Sequence, residues 1–117
     1  MAGGKKKFLI VDDHPGFRQV IRAFLPDGVV VECDDGSAVL AYYAAEQPDW
    51  VLMDIEMRSM DGFTATRRLK AQYPDAHVII ISNHGEAEFR RAAEELGTEG
   101  FLHKFELEKL TQILSGS

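Results

Sequence analysis

The segment Phe8-Leu9-Ile10-Val11-Asp12-Asp13 decides the fold, because a run of apolar residues ends in two adjacent carboxylates. Continuous apolar runs of this length are typical of strands that are buried on both faces of a parallel sheet. The pattern recurs along the chain, where one polar residue follows each run: Asp54 after 50–53, Ser82 after 78–81 and Lys104 after 101–103. The sequence therefore predicts buried parallel strands that carry polar side chains at their carboxyl ends.

Segments with helical periodicity or helix-end signals alternate with these runs. They are 15–25, 37–45, 62–72, 89–96 and 107–114. With a further apolar run at 29–31, strand and helix alternate five times along the chain. We therefore expect a flavodoxin-like α/β fold, a (βα)5 three-layer sandwich around a parallel sheet of order 2-1-3-4-5. One domain is expected over 1–117, with flexible ends at 1–6 and 115–117.

The overall composition excludes several classes of protein. A chain of 117 residues with 45% hydrophobic residues suits one folded domain, and its net charge of −6 argues against direct nucleic-acid binding. The single cysteine, Cys33, cannot form an internal disulfide, which fits a reducing cytoplasm. No apolar stretch approaches membrane-spanning length, and the N-terminus lacks a signal-peptide pattern. We therefore expect a cytoplasmic domain with no membrane contact.

Three carboxylates are expected to meet at one edge of the sheet. Ligands of such folds bind beyond the carboxyl ends of the strands, and in this order the first and third strands are neighbours. Asp12, Asp13 and Asp54 should then lie close enough to raise one another's pKa, unless a cation offsets their charge. Mg²⁺ suits a site with few protein ligands and several waters. Taken alone, the Asp12-Asp13 pair could equally cap the helix that begins near Pro15.

Asp54 could be a metal ligand alone or a nucleophile. A carboxylate beside Mg²⁺ can attack phosphorus and form an aspartyl phosphate. Lys104 would supply a point charge and Ser82 a hydroxyl donor to the new phosphoryl oxygens. Each, standing alone, would be interpreted as a surface lysine or a helix-capping serine. Because each ends a predicted neighbouring strand, the functional interpretation is favoured.

These residues resemble the receiver domain of two-component response regulators, and the resemblance covers nearly the whole chain. The matching segments are LIVDDHPGFRQVI (9–21), PDWVLMDIEMRSMDGFTATRRL (48–69), AHVIIISNH (76–84) and GTEGFLHK (97–104). The phrases VDDHP and MDGFTATRRL are most similar to receivers attached to helix-turn-helix transcriptional output domains. The resemblance implies a signalling switch that takes a phosphoryl group from a histidine kinase or a histidine phosphotransfer protein. It further implies control of an output domain or partner protein, and no turnover of a substrate.

The resemblance also implies a role for each matching residue at the acidic edge. Asp54 would be the phosphoacceptor. Asp13 would bind Mg²⁺ directly, Asp12 would assist mainly through water, and Asp54 would complete the carboxylate ligands. Glu56 would contribute its backbone carbonyl to the metal, for which Mn²⁺ is an expected substitute.

Three more matching residues would respond to the phosphoryl group. Ser82 and Lys104 would hold its oxygens, and Phe101 takes the place of the family's aromatic switch residue. Movement of Ser82 toward the phosphoryl group would then leave space that Phe101 fills. The sequence leaves open whether this change causes dimerisation.

The chain departs from the family pattern at three positions. Arg58 stands where proline is usual, Asn83 where a small residue is common, and Phe105 where proline or aspartate is usual. None of these changes removes a reactive group. We expect them to affect rates and the switching equilibrium.

Two other classes of function remain open at this point. Asp54-Ile55-Glu56 has the carboxylate spacing of some phosphatases, although those place the nucleophile on the first strand. An interaction module that has lost phosphorylation is the other alternative, against which the retained acidic and basic residues argue. A flavin-binding flavodoxin fits poorly, because no Ser/Thr/Gly-rich loop follows the first strand.

Overall fold

A computed structural model describes residues 5–115, which form a parallel sheet with helices on both faces. In chain order the elements are β1 (Lys6–Val11), α1 (Pro15–Phe24), β2 (Gly28–Cys33), α2 (Val39–Glu46), β3 (Trp50–Asp54), α3 (Gly62–Gln72), β4 (Val78–Ser82), α4 (Ala87–Glu95), β5 (Gly100–His103) and α5 (Leu110–Ser115). The strand order is β2-β1-β3-β4-β5, so the predicted flavodoxin-like topology is confirmed. Short 3₁₀ segments occupy Gly36–Ala38 and Lys104–Lys109.

Alternate residues of the strands enter two separate cores. In β1, Leu9 and Val11 pack with residues of α2, α3 and α4, whereas Phe8 and Ile10 pack with residues of α1 and α5. Every residue of β3 and β4 is buried. The strands are continuously apolar because both faces of the sheet are covered. Full burial of each large side chain contributes roughly 1.5–3 kcal/mol, so the sheet is a rigid base for the residues at its edge.

The prediction of the last helix is wrong for its first three residues, 107–109. The pattern predicted a helix over 107–114, but Lys104–Lys109 is a 3₁₀ segment and α5 begins at Leu110. The imidazole of His103 accepts a hydrogen bond from the N–H of Phe105, and the Glu106 carboxylate accepts one from the N–H of His103 at 2.8 Å. This reciprocal cap tightens the turn that follows β5.

The ends of the described chain are more ordered than the sequence predicted. Lys6 pairs with Gly28 in the sheet, and Ser115 closes α5, although both fall in the predicted flexible ends. The rest of those predicted ends, residues 1–4 and 116–117, lies outside the described residues. No helix within 5–115 combines the length and the apolar character needed to cross a bilayer.

Candidate functional site

The four strand ends bring the predicted site residues to one edge of the sheet. Asp54 and Ser82 are the last residues of β3 and β4, Asp12 directly follows β1, and Lys104 directly follows β5. Parallel strands present their carboxyl ends at the same edge, so these side chains meet. One ligand atom from each of Asp12, Asp13, His14 and Asp54 lies within 4.8 Å of the others.

A single ammonium faces two buried carboxylates at the centre of the site. Asp12 is 0% exposed and Asp54 is 4% exposed. Lys104 Nζ lies 3.6 Å from Asp12 Oδ2 and 3.7 Å from Asp54 Oδ1. The same ammonium lies 4.2 Å from the centre of the Phe17 ring, a cation–π distance. One positive charge is thus shared by two negative charges, and the centre retains a negative charge.

This excess negative charge changes the acidity of Asp54. Burial, and secondly the charge of Asp12, raise the pKa of Asp54 from 3.8 to about 6, against the opposing effect of Lys104. A pKa raised by burial and by a neighbouring negative charge indicates a carboxylate whose charge is not offset by nearby positive groups. Such groups are concentrated at functional sites.

The oxygens that lack hydrogen bonds fit a divalent cation. Among the described residues, Asp12 Oδ2 and Asp13 Oδ1 are buried and accept no hydrogen bond. The other carboxylate oxygen of Asp12 accepts the N–H of His14 at 2.8 Å. Buried carboxylate oxygens without a hydrogen bond are costly, and clustered carboxylate oxygens are the ligands that Mg²⁺ takes. The donor set therefore fits Mg²⁺.

Two side chains beside Asp13 were not part of the predicted site. His14 Nδ1 lies 3.1 Å from Asp13 Oδ1. The backbone N–H of Arg58 donates to Asp13 Oδ2 at 3.2 Å, and the Arg58 Nε atom lies 3.7 Å from the same oxygen. A proline at position 58 would lack that N–H. This departure from the family pattern therefore adds a contact to the acidic site.

Glu56 and His84 connect the loops that follow β3 and β4. Their side chains meet at 3.0 Å between Glu56 Oε2 and His84 Nε2, and this hydrogen bond raises the pKa of His84. The His84 ring also stacks on Phe89, with 5.1 Å between ring centres. The backbone N–H of His84 donates to Ser82 Oγ at 2.9 Å. The pair therefore lies beside the two strand ends that carry Asp54 and Ser82.

Gly62 fixes the course of the loop after Asp54. A Cβ atom at this position would lie 2.0 Å from the carbonyl oxygen of Asp54. The N–H of Gly62 donates to the carbonyl of Ile55 at 2.8 Å, and the carboxylate of Asp61 caps α3 through the N–H of Thr64. The loop therefore returns tightly against β3, and only glycine allows the approach.

Phe101 is half-buried in β5 and packs against the core beside α4. The guanidinium of Arg90 lies 4.9 Å from the centre of its ring and also bonds the carboxylate of Glu106 at 3.1 Å. Phe101 and Arg90 line an open cavity of about 520 Å³ between α4 and β5. The ring thus has space on one side and a cation held against it.

The other two departures lie at the rim of the site. Asn83 is exposed, and Phe105 is 87% exposed with its ring stacked on His103. Together with Phe17 and Lys104 they line an open depression of about 480 Å³. Lys104 still reaches both carboxylates although Phe105 follows it.

The fold and the acidic edge define the receiver class of signalling domains, and comparison with known proteins agrees. A family model for the response regulator receiver domain matches residues 8–115. The chain belongs to this family, whose members are phosphoryl-accepting signalling switches of two-component systems, and the resemblance stated from the sequence is confirmed.

Individual relatives include both regulators and chemotaxis proteins. The transcriptional activator ExaE of Pseudomonas putida is 34% identical over 117 residues, which cover 92% of this chain and 55% of that protein. The chemotaxis protein CheY of Bacillus subtilis is 31% identical over 113 residues, which cover 93% of this chain and 94% of that protein. The solved signal receiver domain of NarL from Mycobacterium tuberculosis has a TM-score of 0.82 and 31% identity, covering 97% of this chain and 98% of that one. The chain spans about half the length of the first curated relatives it matches.

Proposed function

We propose that this domain is a signalling switch that accepts a phosphoryl group on Asp54 in the presence of Mg²⁺. The observation that carries this proposal is the buried Asp54 carboxylate at the end of β3, with a raised pKa, two carboxylate neighbours and one ammonium. Among the acidic side chains that the structure describes, only those of Asp12 and Asp54 are buried. Of these two, Asp54 is the last residue of β3, and Asp12 directly follows β1 at the same edge of the sheet.

The phosphoryl group would come from a phosphohistidine of a kinase or phosphotransfer protein. A carboxylate oxygen of Asp54 attacks the phosphorus and forms a P–O bond, while the P–N bond breaks and its electron pair returns to the imidazole of the donor. Water later attacks the same phosphorus, which releases inorganic phosphate and restores the carboxylate. The domain thus assists its own modification and reset without turning over a separate substrate.

The side chains around Asp54 would stabilise the transferred group. The Lys104 ammonium, already 3.7 Å from Asp54, offsets charge on the phosphoryl oxygens. Ser82 Oγ accepts the N–H of His84, which leaves its own proton to donate to a phosphoryl oxygen. Mg²⁺, bound by Asp12, Asp13, Asp54 and the backbone carbonyl of Glu56, would supply the remaining positive charge, and Mn²⁺ would serve as a substitute.

The conformational response would run from Ser82 to Phe101. Ser82 ends β4 and is paired in register with His103 of β5, two residues after Phe101. When Ser82 moves toward a phosphoryl oxygen, the packing between β4 and β5 changes and the half-buried Phe101 ring can turn inward. The cavity beside Arg90 and the surface of α4 and β5 then change shape. This is a population shift between two packings that the phosphoryl charge drives.

The output of the switch would lie in another segment or protein. Because the chain spans about half of its regulator relatives, we propose control of an output domain or a downstream protein, with dimerisation as one way to transmit the change. The net charge of −6 argues against direct binding of nucleic acid by this domain. Its unpaired, buried Cys33 thiol suits the reducing cytoplasm, where we place it.

A chemical assay tests the proposed switch and separates it from a phosphatase. The protein is incubated with acetyl phosphate and Mg²⁺, then treated with hydroxylamine, which cleaves acyl phosphates. We expect stoichiometric labelling that hydroxylamine removes, and negligible turnover of p-nitrophenyl phosphate. Steady hydrolysis of that ester by the wild type but not by the Asp54→Asn variant would instead establish a hydrolase.

A further inference from the structure

Arg18, in α1, has three hydrogen-bond partners, which are Glu32 and the backbone carbonyls of Asp12 and His14. Its Nε atom donates to Glu32 Oε1 at 2.6 Å, and one of its terminal nitrogens donates to the backbone carbonyl of Asp12, also at 2.6 Å. The side chain is only 14% exposed. Its backbone N–H donates to the carbonyl of His14 at 3.1 Å, within the first turn of α1. A long charged side chain is therefore held in one conformation beneath the site.

The carbonyl of Asp12 lies in the stretch of backbone from which the Asp12 and Asp13 carboxylates extend. It belongs to the peptide plane that joins Asp12 to Asp13, so a change in this plane alters ψ of Asp12 and φ of Asp13, the backbone angles beside the two carboxylates. The N–H of Asp12 is already fixed by the carbonyl of Cys33 at 3.0 Å in β2. The contact from Arg18 fixes the opposite side of the turn. Without it, a buried carbonyl would lack a partner and the plane could rotate.

Glu32 keeps the Arg18 guanidinium in place. Its two carboxylate oxygens bind Arg18 and Arg22 separately, each at 2.6 Å, and these two hydrogen bonds lower the pKa of Glu32. Arg22 is 48% exposed, and among the described residues it forms an ion pair with Glu32 alone. Arg22 therefore shares the carboxylate with Arg18 but does not share the contact with Asp12.

We propose that Arg18 is a positioning residue for the divalent cation, which acts through the peptide plane between Asp12 and Asp13. This inference rests on the proposed Mg²⁺ site, and extends it to a residue on α1 that touches neither the metal nor the phosphoryl group. Partners that orient metal ligands typically change metal affinity by about ten- to a hundredfold when they are removed. The Arg18 guanidinium, 2.6 Å from the backbone carbonyl of Asp12, orients two of the expected metal ligands in the same way.

Arg18→Gln and Arg22→Gln form a matched pair of variants. Both remove one charged hydrogen bond to Glu32, and only Arg18→Gln removes the contact with the Asp12 carbonyl. Mg²⁺ affinity is measured by calorimetry, and the amide signals of 12–14 are followed by NMR with and without Mg²⁺. We expect Arg18→Gln to bind Mg²⁺ roughly tenfold more weakly and to shift those amide signals even without metal. Arg22→Gln should keep the wild-type affinity.

The outcomes separate this inference from the proposed function. Wild-type Mg²⁺ affinity in a folded Arg18→Gln variant, or equal losses in the two variants, would overturn the role of Arg18 and leave the metal site intact. Absence of saturable Mg²⁺ binding to the wild type would overturn the proposed function and this inference with it. If Arg18→Gln does not fold, Arg18→Lys provides the test, because one ammonium cannot hold the carbonyl and Glu32 in the same fork geometry. It should show an intermediate affinity, and an unchanged affinity would overturn the proposal.

Discussion

Lys104 Nζ lies 3.7 Å from Asp54 Oδ1 and almost as close to a second buried carboxylate, that of Asp12, at 3.6 Å. The ammonium is close enough to limit the repulsion between the two carboxylates but cannot neutralise both. Further positive charge or a proton therefore stabilises this centre. The relation between Lys104 and Asp54 therefore links the stability of the domain to the occupant of its site.

The first prediction concerns the pH dependence of stability. Burial and the charge of Asp12 raise the pKa of Asp54 from 3.8 to about 6, so the folded chain holds this proton more tightly than the unfolded chain. The resulting stability is fully present below about pH 4 and is lost as the pH rises through about 6. The Asp54→Asn variant has no carboxyl group at this position, so its stability does not fall in this way as the pH rises. In EDTA, its advantage over the wild type in free energy of unfolding should grow by on the order of 2 kcal/mol between pH 4 and pH 7.

Urea denaturation of both proteins across this pH range provides the measurement. Addition of Mg²⁺ at pH 7 should reduce the advantage of Asp54→Asn, because the cation stabilises the wild-type carboxylate. A difference between the two proteins that stays constant from pH 4 to pH 7 would refute the account of Asp54.

The second prediction concerns the loop that follows the phosphoacceptor. Gly62→Ala places a Cβ atom 2.0 Å from the carbonyl oxygen of Asp54, so β3 and the start of α3 must separate. We expect a loss of roughly 1–3 kcal/mol in free energy of unfolding and weaker Mg²⁺ binding. Gly16→Ala, in α1, is the control, because a Cβ atom there meets nothing within 4 Å. Equal stability of the two variants would show that the loop is not held as the structure has it.

The fold could be predicted because its signals are local. Both faces of the sheet are covered, so each central strand is an uninterrupted apolar run, and the polar residue that ends it marks the edge of the sheet. The start of α1 at Pro15 follows from the fixed backbone of proline. The 3₁₀ segment after β5 escaped prediction, since it depends on hydrogen bonds of the His103 and Glu106 side chains that periodicity does not encode.

The site was predictable only in part, for a related reason. The convergence of Asp12, Asp54 and Lys104 follows from strand order and strand ends. The contact of Arg18 with the backbone carbonyl of Asp12 could not be predicted in this way, because it depends on the direction of one long side chain of α1. The pairing of Glu56 with His84 likewise joins two loops whose approach no sequence pattern defines.

The third prediction concerns the lifetime of the phosphorylated state. His84 and Glu56 join the two loops beside Asp54 and Ser82, and we expect the pair to limit the approach of water to the acyl phosphate. His84→Ala should shorten the half-life of the phosphorylated domain by roughly two- to tenfold, a change of about 0.4–1.4 kcal/mol in the barrier. The decay is followed by intact mass after rapid removal of acetyl phosphate. His77→Ala, which removes a histidine paired with Glu99 before β4, should decay as the wild type does; a slower decay of His84→Ala would contradict this role.

The fourth prediction concerns the departure at position 58. The Arg58 side chain is 90% exposed and its Nε atom lies 3.7 Å from Asp13 Oδ2, so its charge competes weakly with a cation bound there. Arg58→Ala keeps the backbone N–H to Asp13 and should tighten Mg²⁺ binding by at most about fivefold at low ionic strength. The gain should disappear at high salt. The exposed Arg68 of α3 supplies the control, and tighter binding by Arg68→Ala to the same degree would mean that only net charge matters.

The most direct test of the central claim is the intact mass of the domain after incubation with acetyl phosphate and Mg²⁺. We predict an increase of one phosphoryl group in the wild type, and no increase when EDTA is present or when Asp54 is replaced by asparagine. A wild-type protein that is folded, binds Mg²⁺ and gains no mass would contradict the account, as would an adduct that persists in the Asp54→Asn variant.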